Sequence, residues 1–335
     1  MQMRIRDLAQ TFDIHYTKNH ADPKRNLAPS NPFKLRGAGK LGVTADEIVF
    51  SGYQHDLLSW RSDEGHRVPL SAVWDVQVNG HELSFVLHSG DGKSHLVVLQ
   101  AADAAMAQEI MAYLPDRQSE DFSNEKAAWS DFQERLFAFQ STMPVTYGLI
   151  ALNVLVFVLM LLFGAGFLVT DGNAAIAWGA NFGPLTLGGD WWRLVTSMFV
   201  HFGIFHLGMN MFSLYMVGGL VERLFGSMRF LLLYLVAGLC GSMISLVWHP
   251  DANSAGASGA IFAIFGALAA YLLDSKNAIP VVVRRKMLKD MAVILIINLV
   301  FGMQAGIDNA AHIGGLIAGV VLGFILARPL PFLPE

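Results

Sequence analysis

A serine between glycines opens an apolar run, residues 253–273 reading N-S-A-G-A-S-G-A-I-F-A-I-F-G-A-L-A-A-Y-L-L. A hydroxyl in an apolar helix is cheap because it can bond back to its own backbone, so Ser258 draws its interest from its flanks. Gly256 and Gly259 remove side chains on either side of it, which lets another backbone approach. Amide N–H groups at a helix start then stay free to face a developing oxyanion. A base is the next requirement, and His312 opens the last apolar run. Gly315 and Gly319 follow it at i+3 and i+7, giving a side-chain-free stripe of the kind along which membrane helices pack closely. If the neighbour is the helix of Ser258, with Gly259 and Gly266 available, imidazole and hydroxyl come within reach. A serine activated by histidine is then able to act as a nucleophile. His206 and Asn210, one turn apart in H-L-G-M-N, lie on one helix face. Their side-chain donors can join the Ser258 amide in holding an oxyanion, or can serve as an interhelical hydrogen bond. His201 falls on a different face and reads as structural.

The elements that must position these groups follow from composition. The chain has 335 residues, 53% of them hydrophobic and 15% charged, well to the apolar side of a soluble protein. Residues 1–143 hold 14 of the 23 Lys and Arg and 19 of the 27 Asp and Glu, so a soluble domain is expected before a multi-span bundle. Six apolar runs lie at about 145–168, 200–221, 229–248, 257–273, 290–303 and 309–327, the fifth short for a span of about 20 residues. Arg223 and Arg229, then Lys276, Arg284, Arg285, Lys286 and Lys289, then Arg328, fall in alternate connections, whereas the opposite ones carry only Arg193. Positive charge stays inside. Both termini are therefore expected in the cytoplasm, with Ser258 and His312 near the outer face. No apolar core follows Arg4 and Arg6, so a signal peptide is not expected. The single cysteine, Cys240, excludes an intrachain disulfide.

Residues 1–36 read as an irregular basic lead-in, with Lys18, Lys24, Arg25, Lys34 and Arg36; such a cluster can sit on anionic lipid. Strand-like segments follow at 39–44, 47–51, 72–78, 83–88 and 95–99, with turn signals at Asn79-Gly80 and Gly90-Asp91-Gly92. A helix over 102–114 places Met106, Ile110 and Leu114 on one face. This meander closed by one helix, residues 37–115, resembles a pleckstrin-homology-like domain, a small α+β fold. The resemblance implies a lipid headgroup or a protein partner; a scaffolding role is the alternative. Residues 116–143 form a linker whose Trp129, Phe132, Leu136 and Phe139 share a helical stripe, fit for lying on the membrane or packing on the first domain. The bundle occupies 144–328, and 329–335 is a tail.

Other intramembrane chemistries lack their residues. No H-E-x-x-H pattern is present for a zinc site. Asp274, Asp290 and Asp308 sit at helix ends rather than as a buried pair. No cofactor, metal or nucleic acid is expected. G-A-S-G at 256–259, A-H-I-G-G-L-I-A-G at 311–319, H-L-G-M-N at 206–210 and the pair Trp192-Arg193 together resemble a rhomboid intramembrane serine protease. The resemblance implies an all-α, six-helix membrane bundle with a Ser258 and His312 dyad and an oxyanion site of His206, Asn210 and the Ser258 amide. It also implies a structural role for Trp192 and Arg193 in a membrane-embedded loop, here 169–193. Phe262 stands where the family often has a tyrosine against the catalytic histidine, which keeps the ring and loses the hydroxyl. The expected activity is cleavage of other proteins' transmembrane helices near the outer face of a bacterial inner membrane. Substrates are expected to carry helix-weakening residues and a small residue at the cut. The alternative is a noncatalytic binder of client helices, with the first domain as lipid or partner sensor.

Overall fold

A computed structural model of the chain describes residues 10–16, 27–28, 33, 35–56, 59–88, 92–302 and 308–330. The chain forms two compact units, Met1–Lys126 and Ala127–Glu335. The first contains β1 (Gln10–Tyr16), β2 (Leu27–Ala28), β3 (Leu35–Val43), β4 (Glu47–Asp56), β5 (Ser59–Pro69), β6 (Val73–Asn79), β7 (Glu82–His88) and β8 (Ser94–Ala101). They pair in the order β5-β4-β3-β1-β8-β7-β6, with β2 alongside β8. Every neighbouring pair on that path is antiparallel, and β2 is parallel to β8. Helix α1 (Ala104–Tyr113) follows, its first turn capped by the Asp103 carboxylate, which accepts the Met106 N–H at 2.8 Å. Leu41, Phe50, Phe85, Val97 and Leu99 bury against Ile110 and Leu114 to make the core.

Three strands depart from the sequence reading, one of them the two-residue β2 within the stretch read as the lead-in. Within the stretch read as an irregular lead-in, Phe12, Ile14 and Tyr16 are buried and alternate with exposed Thr11, Asp13 and His15. That is the pattern of a strand with one covered face, and it becomes β1 between β3 and β8. β5 has no apolar alternation and stands at the sheet edge, held by its ladder to β4; backbone pairing suffices where one side has no neighbour. Arg36 lies in β3. Lys18, Lys24, Arg25 and Lys34 of the basic run, Gly90 and Asp91 of the second turn, and 331–335 of the tail lie outside the described residues.

Helix α2 (Glu120–Phe139) runs across the boundary between the units. Phe132 and Leu136 are buried in the core of the helical unit, with Trp129 and Phe139 packed against it. The stripe is thus covered from within the helical unit; its spacing requires a partner surface without naming one. Arg135, on the same helix, is buried and donates to the Leu330 carbonyl at 3.2 Å.

Among the described residues six long helices follow: α3 (Pro144–Leu162), α4 (Ile204–Phe225), α5 (Ser227–Trp248), α6 (Ser258–Leu273), α7 (Val281–Gly302) and α8 (Asn309–Leu326). Of these α3, α4, α5 and α8 are long and apolar enough to cross a membrane, and α6 is a shorter apolar helix. α7 begins at Val281 and takes in Arg284, Arg285, Lys286 and Lys289, so the fifth apolar run is only its second part. α4 contains a π-helical stretch, Leu214–Gly218. Beyond it, buried Glu222 accepts the Val145 and Thr146 N–H groups at 3.0 and 2.7 Å and the Ser227 hydroxyl at 2.7 Å. A carboxylate there satisfies amides that the start of α3 leaves without helical partners. Between α3 and α4 lie the short helices Gly172–Ala177, Gly183–Thr186 and Arg193–Thr196 and the strand β9 (Asn181–Phe182). β9 pairs with β10 (Asn253–Ser254), which leads to Ser258.

Candidate functional site

Ser258 is the first residue of α6. The backbone before it is drawn into position from three sides. Gly256 sits at φ +126°, where a Cβ would lie 2.7 Å from His206 Cε1, 2.9 Å from His206 Nε2 and 3.6 Å from Asn210 Nδ2. Only glycine lets this turn settle on the polar face of α4. The Gly256 N–H donates to the Ser197 carbonyl at 2.8 Å, and the Ala257 N–H donates to His201 Nε2 at 3.5 Å. For Nε2 to accept, the His201 proton must be on Nδ1, which lies 3.3 Å from the Phe199 carbonyl. His201 lies in the loop just before α4 rather than on another face of that helix, is fully buried, and so steadies the residue just ahead of the serine.

His312 lies in the first turn of α8 with its Nε2 2.8 Å from Ser258 Oγ. Phe262, one turn beyond the serine, stacks on the imidazole with centroids 4.2 Å apart and planes 6° from parallel. His312 Nδ1 is buried and meets no protein partner among the described residues. The ring is therefore held by packing, and among the described residues no carboxylate bonds to Nδ1 to complete a triad.

Glycines explain why the two side chains meet. A Cβ at Gly315 would overlap the Gly259 carbonyl, one at Gly319 the Ala263 carbonyl, and one at Gly266 the Leu316 carbonyl. α6 and α8 thus touch backbone to backbone, the close approach that small residues permit between membrane helices. α5 approaches α8 as well: a Cβ at Gly241 would sit 2.8 Å from the Ala311 carbonyl.

The remaining expected residues fall on α4 and the loop before it. Asn210 is buried and its amide donates to the His206 carbonyl at 3.1 Å. His206 Nδ1 accepts the Phe202 N–H at 3.4 Å, which leaves the Nε2 edge, the one nearest Gly256, to carry the proton and donate. Arg193 is buried and donates to the Ile176 carbonyl at 2.6 Å, the Ala180 carbonyl at 3.2 Å and the Asp190 carboxylate at 3.0 Å. Its guanidinium lies 4.5 Å from the centre of the Trp192 ring, so this pair cross-ties its loop away from Ser258. Asp308, read from the sequence only as a helix end, accepts the Ser245 and Ser254 hydroxyls and the Ala311 N–H. Among the described residues no group of three or more His, Cys, Asp or Glu could hold a metal ion.

Residues 188–329 match the family model described as the rhomboid domain. The chain is similar to "Rhomboid protease GluP" of Bacillus subtilis, 38% identical over 244 residues, which is 67% of this chain and 46% of that protein. It is also similar to "Rhomboid protease AarA" of Providencia stuartii, 33% identical over 54% of this chain and 71% of that protein. "RHOMBOID-like protein 6, mitochondrial" of Arabidopsis thaliana is 41% identical over 42% of this chain and 45% of that protein. The chain thus spans under half the length of two of these relatives and more than two thirds of the third.

Proposed function

The chain belongs to the rhomboid family and is an integral membrane protein, and from that premise we propose that it is a serine endopeptidase cleaving other proteins' transmembrane helices. The observation that carries this reading is the 2.8 Å contact of His312 Nε2 with Ser258 Oγ at the start of a helix. His312 Nε2 takes the Ser258 proton as Oγ attacks the carbonyl carbon of the scissile bond. The tetrahedral oxyanion is held by the Ser258 amide, His206 and Asn210. His312 then gives its proton to the departing amine, the C–N bond breaks, and an acyl ester remains on Ser258. Water attacks that ester while His312 accepts a proton. The tetrahedral adduct collapses, the acid leaves, and the proton returns to Oγ. Phe262 keeps the ring in plane through these transfers.

The setting must admit water. α6 has 16 residues, about 24 Å at the rise of an α-helix, against a hydrocarbon core of about 30 Å. One of its ends is recessed, and the loop charges set the Ser258 end toward the outer side with both termini cytoplasmic, as in a bacterial inner membrane. His206, Asn210 and His312 give the recess a polar lining. A substrate must unwind locally to enter, since lipid does not satisfy freed backbone groups; helix-weakening residues in the substrate's outer half and a small residue at the cut suit that need. The sheet unit is read as a pleckstrin-homology-like domain, a reading supported by its antiparallel strands followed by one helix, and its proposed role is docking a lipid headgroup or another protein.

The test is cleavage of reporter transmembrane helices by purified protein in lipid vesicles. Ser258→Ala and His312→Ala each lower turnover by roughly 10⁴-fold or more, as expected for members of one catalytic unit. If the natural chain leaves a panel of helices uncut and a serine-directed probe fails to label Ser258, the protein is a binder of membrane helices instead.

A further inference from the structure

The glycine seam brings α6 and α8 close, yet it does little to fix their height along one another. Gly315 and Gly319 present backbone to the Gly259 and Ala263 carbonyls, and a contact made without interlocking side chains resists sliding weakly. A dyad needs that height fixed, because a displacement of about 1 Å between reacting groups costs about 100-fold in rate.

Asp308 stands where such a fixing point is needed. Its Oδ1 accepts the Ala311 N–H at 3.0 Å, capping the helix one residue before His312. Its Oδ2 accepts two hydroxyls, Ser245 from α5 and Ser254 from β10. Ser254 lies four residues ahead of Ser258, and its strand is pinned in turn. Ser254 pairs with Asn181 of β9. The Asn181 amide donates to the Ser242 carbonyl at 2.9 Å and its carbonyl accepts the Thr186 hydroxyl at 2.9 Å. One carboxylate thus joins the segment that carries the nucleophile to the helix that carries the base. Hydrogen bonds to an ionised acceptor belong to the stronger class, and a carboxylate has lone pairs for all three donors.

We propose that Asp308 is a positioning residue for the Ser258 and His312 pair, using Ser254 and Ser245 to set the height of α8 against the Ser258 loop. This inference rests on the serine-protease reading. The two oxygens make it separable from simple capping: Asp308→Asn keeps an oxygen for the Ala311 amide and loses the charged acceptor for the serines.

The experiment is steady-state cleavage of one reporter helix in vesicles by the full chain, with thermal unfolding of every variant. Asp308→Asn lowers kcat by about tenfold or more, leaves KM within about threefold, and keeps the unfolding transition of the natural chain. Ser254→Ala has the same signature, Ser254→Thr, which retains the hydroxyl, recovers most of the rate, and the Asp308→Asn, Ser254→Ala double variant is no slower than Asp308→Asn alone. Unchanged kcat in Asp308→Asn, losses that multiply in the double variant, or Ser254→Thr as slow as Ser254→Ala would overturn the proposal. A rate loss that only tracks lost folded protein would do the same. Should the natural chain cut nothing, or cut equally well as Ser258→Ala, the protease reading itself fails and takes this inference with it. An active, Ser258-dependent enzyme indifferent to Asp308 removes the inference alone.

Discussion

The core of the sheet unit and the seam between α6 and α8 are built on opposite rules. In the sheet, Leu41, Phe50, Phe85 and Leu99 are fully buried, and each such side chain contributes about 1.5–3 kcal/mol by leaving water. In the seam the contact residues are Gly259, Gly266, Gly315 and Gly319, which have no side chain to bury. Lipid is as apolar as leucine, so hiding apolar groups from it yields little, and helices gain instead from close approach and dispersion. What stabilises one region would therefore disrupt the other. The sheet should suffer from shrinking its residues and the seam from enlarging them.

Gly319→Leu gives the sharpest break. Its added atoms meet the Ala263 backbone, which has no flexible end to move aside, so the helices must separate and His312 leaves Ser258. Reporter cleavage in vesicles is expected to fall by about 100-fold or more, while Gly148→Leu on α3, where a Cβ meets nothing within 4 Å, leaves it nearly unchanged. The converse substitution belongs to the sheet. Phe50→Ala removes a fully buried ring and should destabilise that unit by about 3–5 kcal/mol, read as increased amide hydrogen exchange across β3 and β4. The smallest expected effect lies at a turn. Gly80 joins β6 to β7 at φ +61° with nothing within 4 Å of its Cβ position, so Gly80→Ala meets no clash and costs only the backbone strain, about 1–2 kcal/mol, measurable in the same exchange experiment. If Gly80→Ala proved as damaging as Phe50→Ala, the sheet would owe its stability to turn geometry more than to its core.

The two regions were also unequally legible. Polar residues stand out against an apolar run, so Ser258, His312, His206 and Asn210 could be singled out from the sequence, and the spacing of Gly315 and Gly319 marked the face that packs. Hydropathy located the helices, although the charged first turns of α7 hid its start at Val281. In the sheet unit the signal is two-residue alternation, which β7 has in Leu83, Phe85 and Leu87 and which β5 lacks. β1 carries the alternation in Phe12, Ile14 and Tyr16, yet the basic, proline-containing residues after it concealed it. Beyond the Ser258 and His312 pair and its glycine faces, contacts between distant segments were not legible. Nothing in the spacing of Asp308, Ser245 and Ser254, or of Glu222 and Thr146, announces that they meet. Such pairings depend on where whole helices come to rest, and a single chain read in order does not contain that information locally.

The π-helical stretch Leu214–Gly218 in α4 acts as a change of rotational phase within a single span. On an uninterrupted α-helix, Asn210 and Glu222 would point about 120° apart around the axis. One residue of extra winding, as a π-bulge supplies, brings them within about 20° of a common bearing. The span thus behaves as two half-helices with separately set headings, one serving the Ser258 loop and the other the start of α3. Deleting one residue from the stretch would return the span to an uninterrupted α-helix with eleven steps from Asn210 to Glu222, the same bearing within about 20°. Both headings therefore survive the loss of the bulge, whereas buried Leu214 within it is fixed by packing.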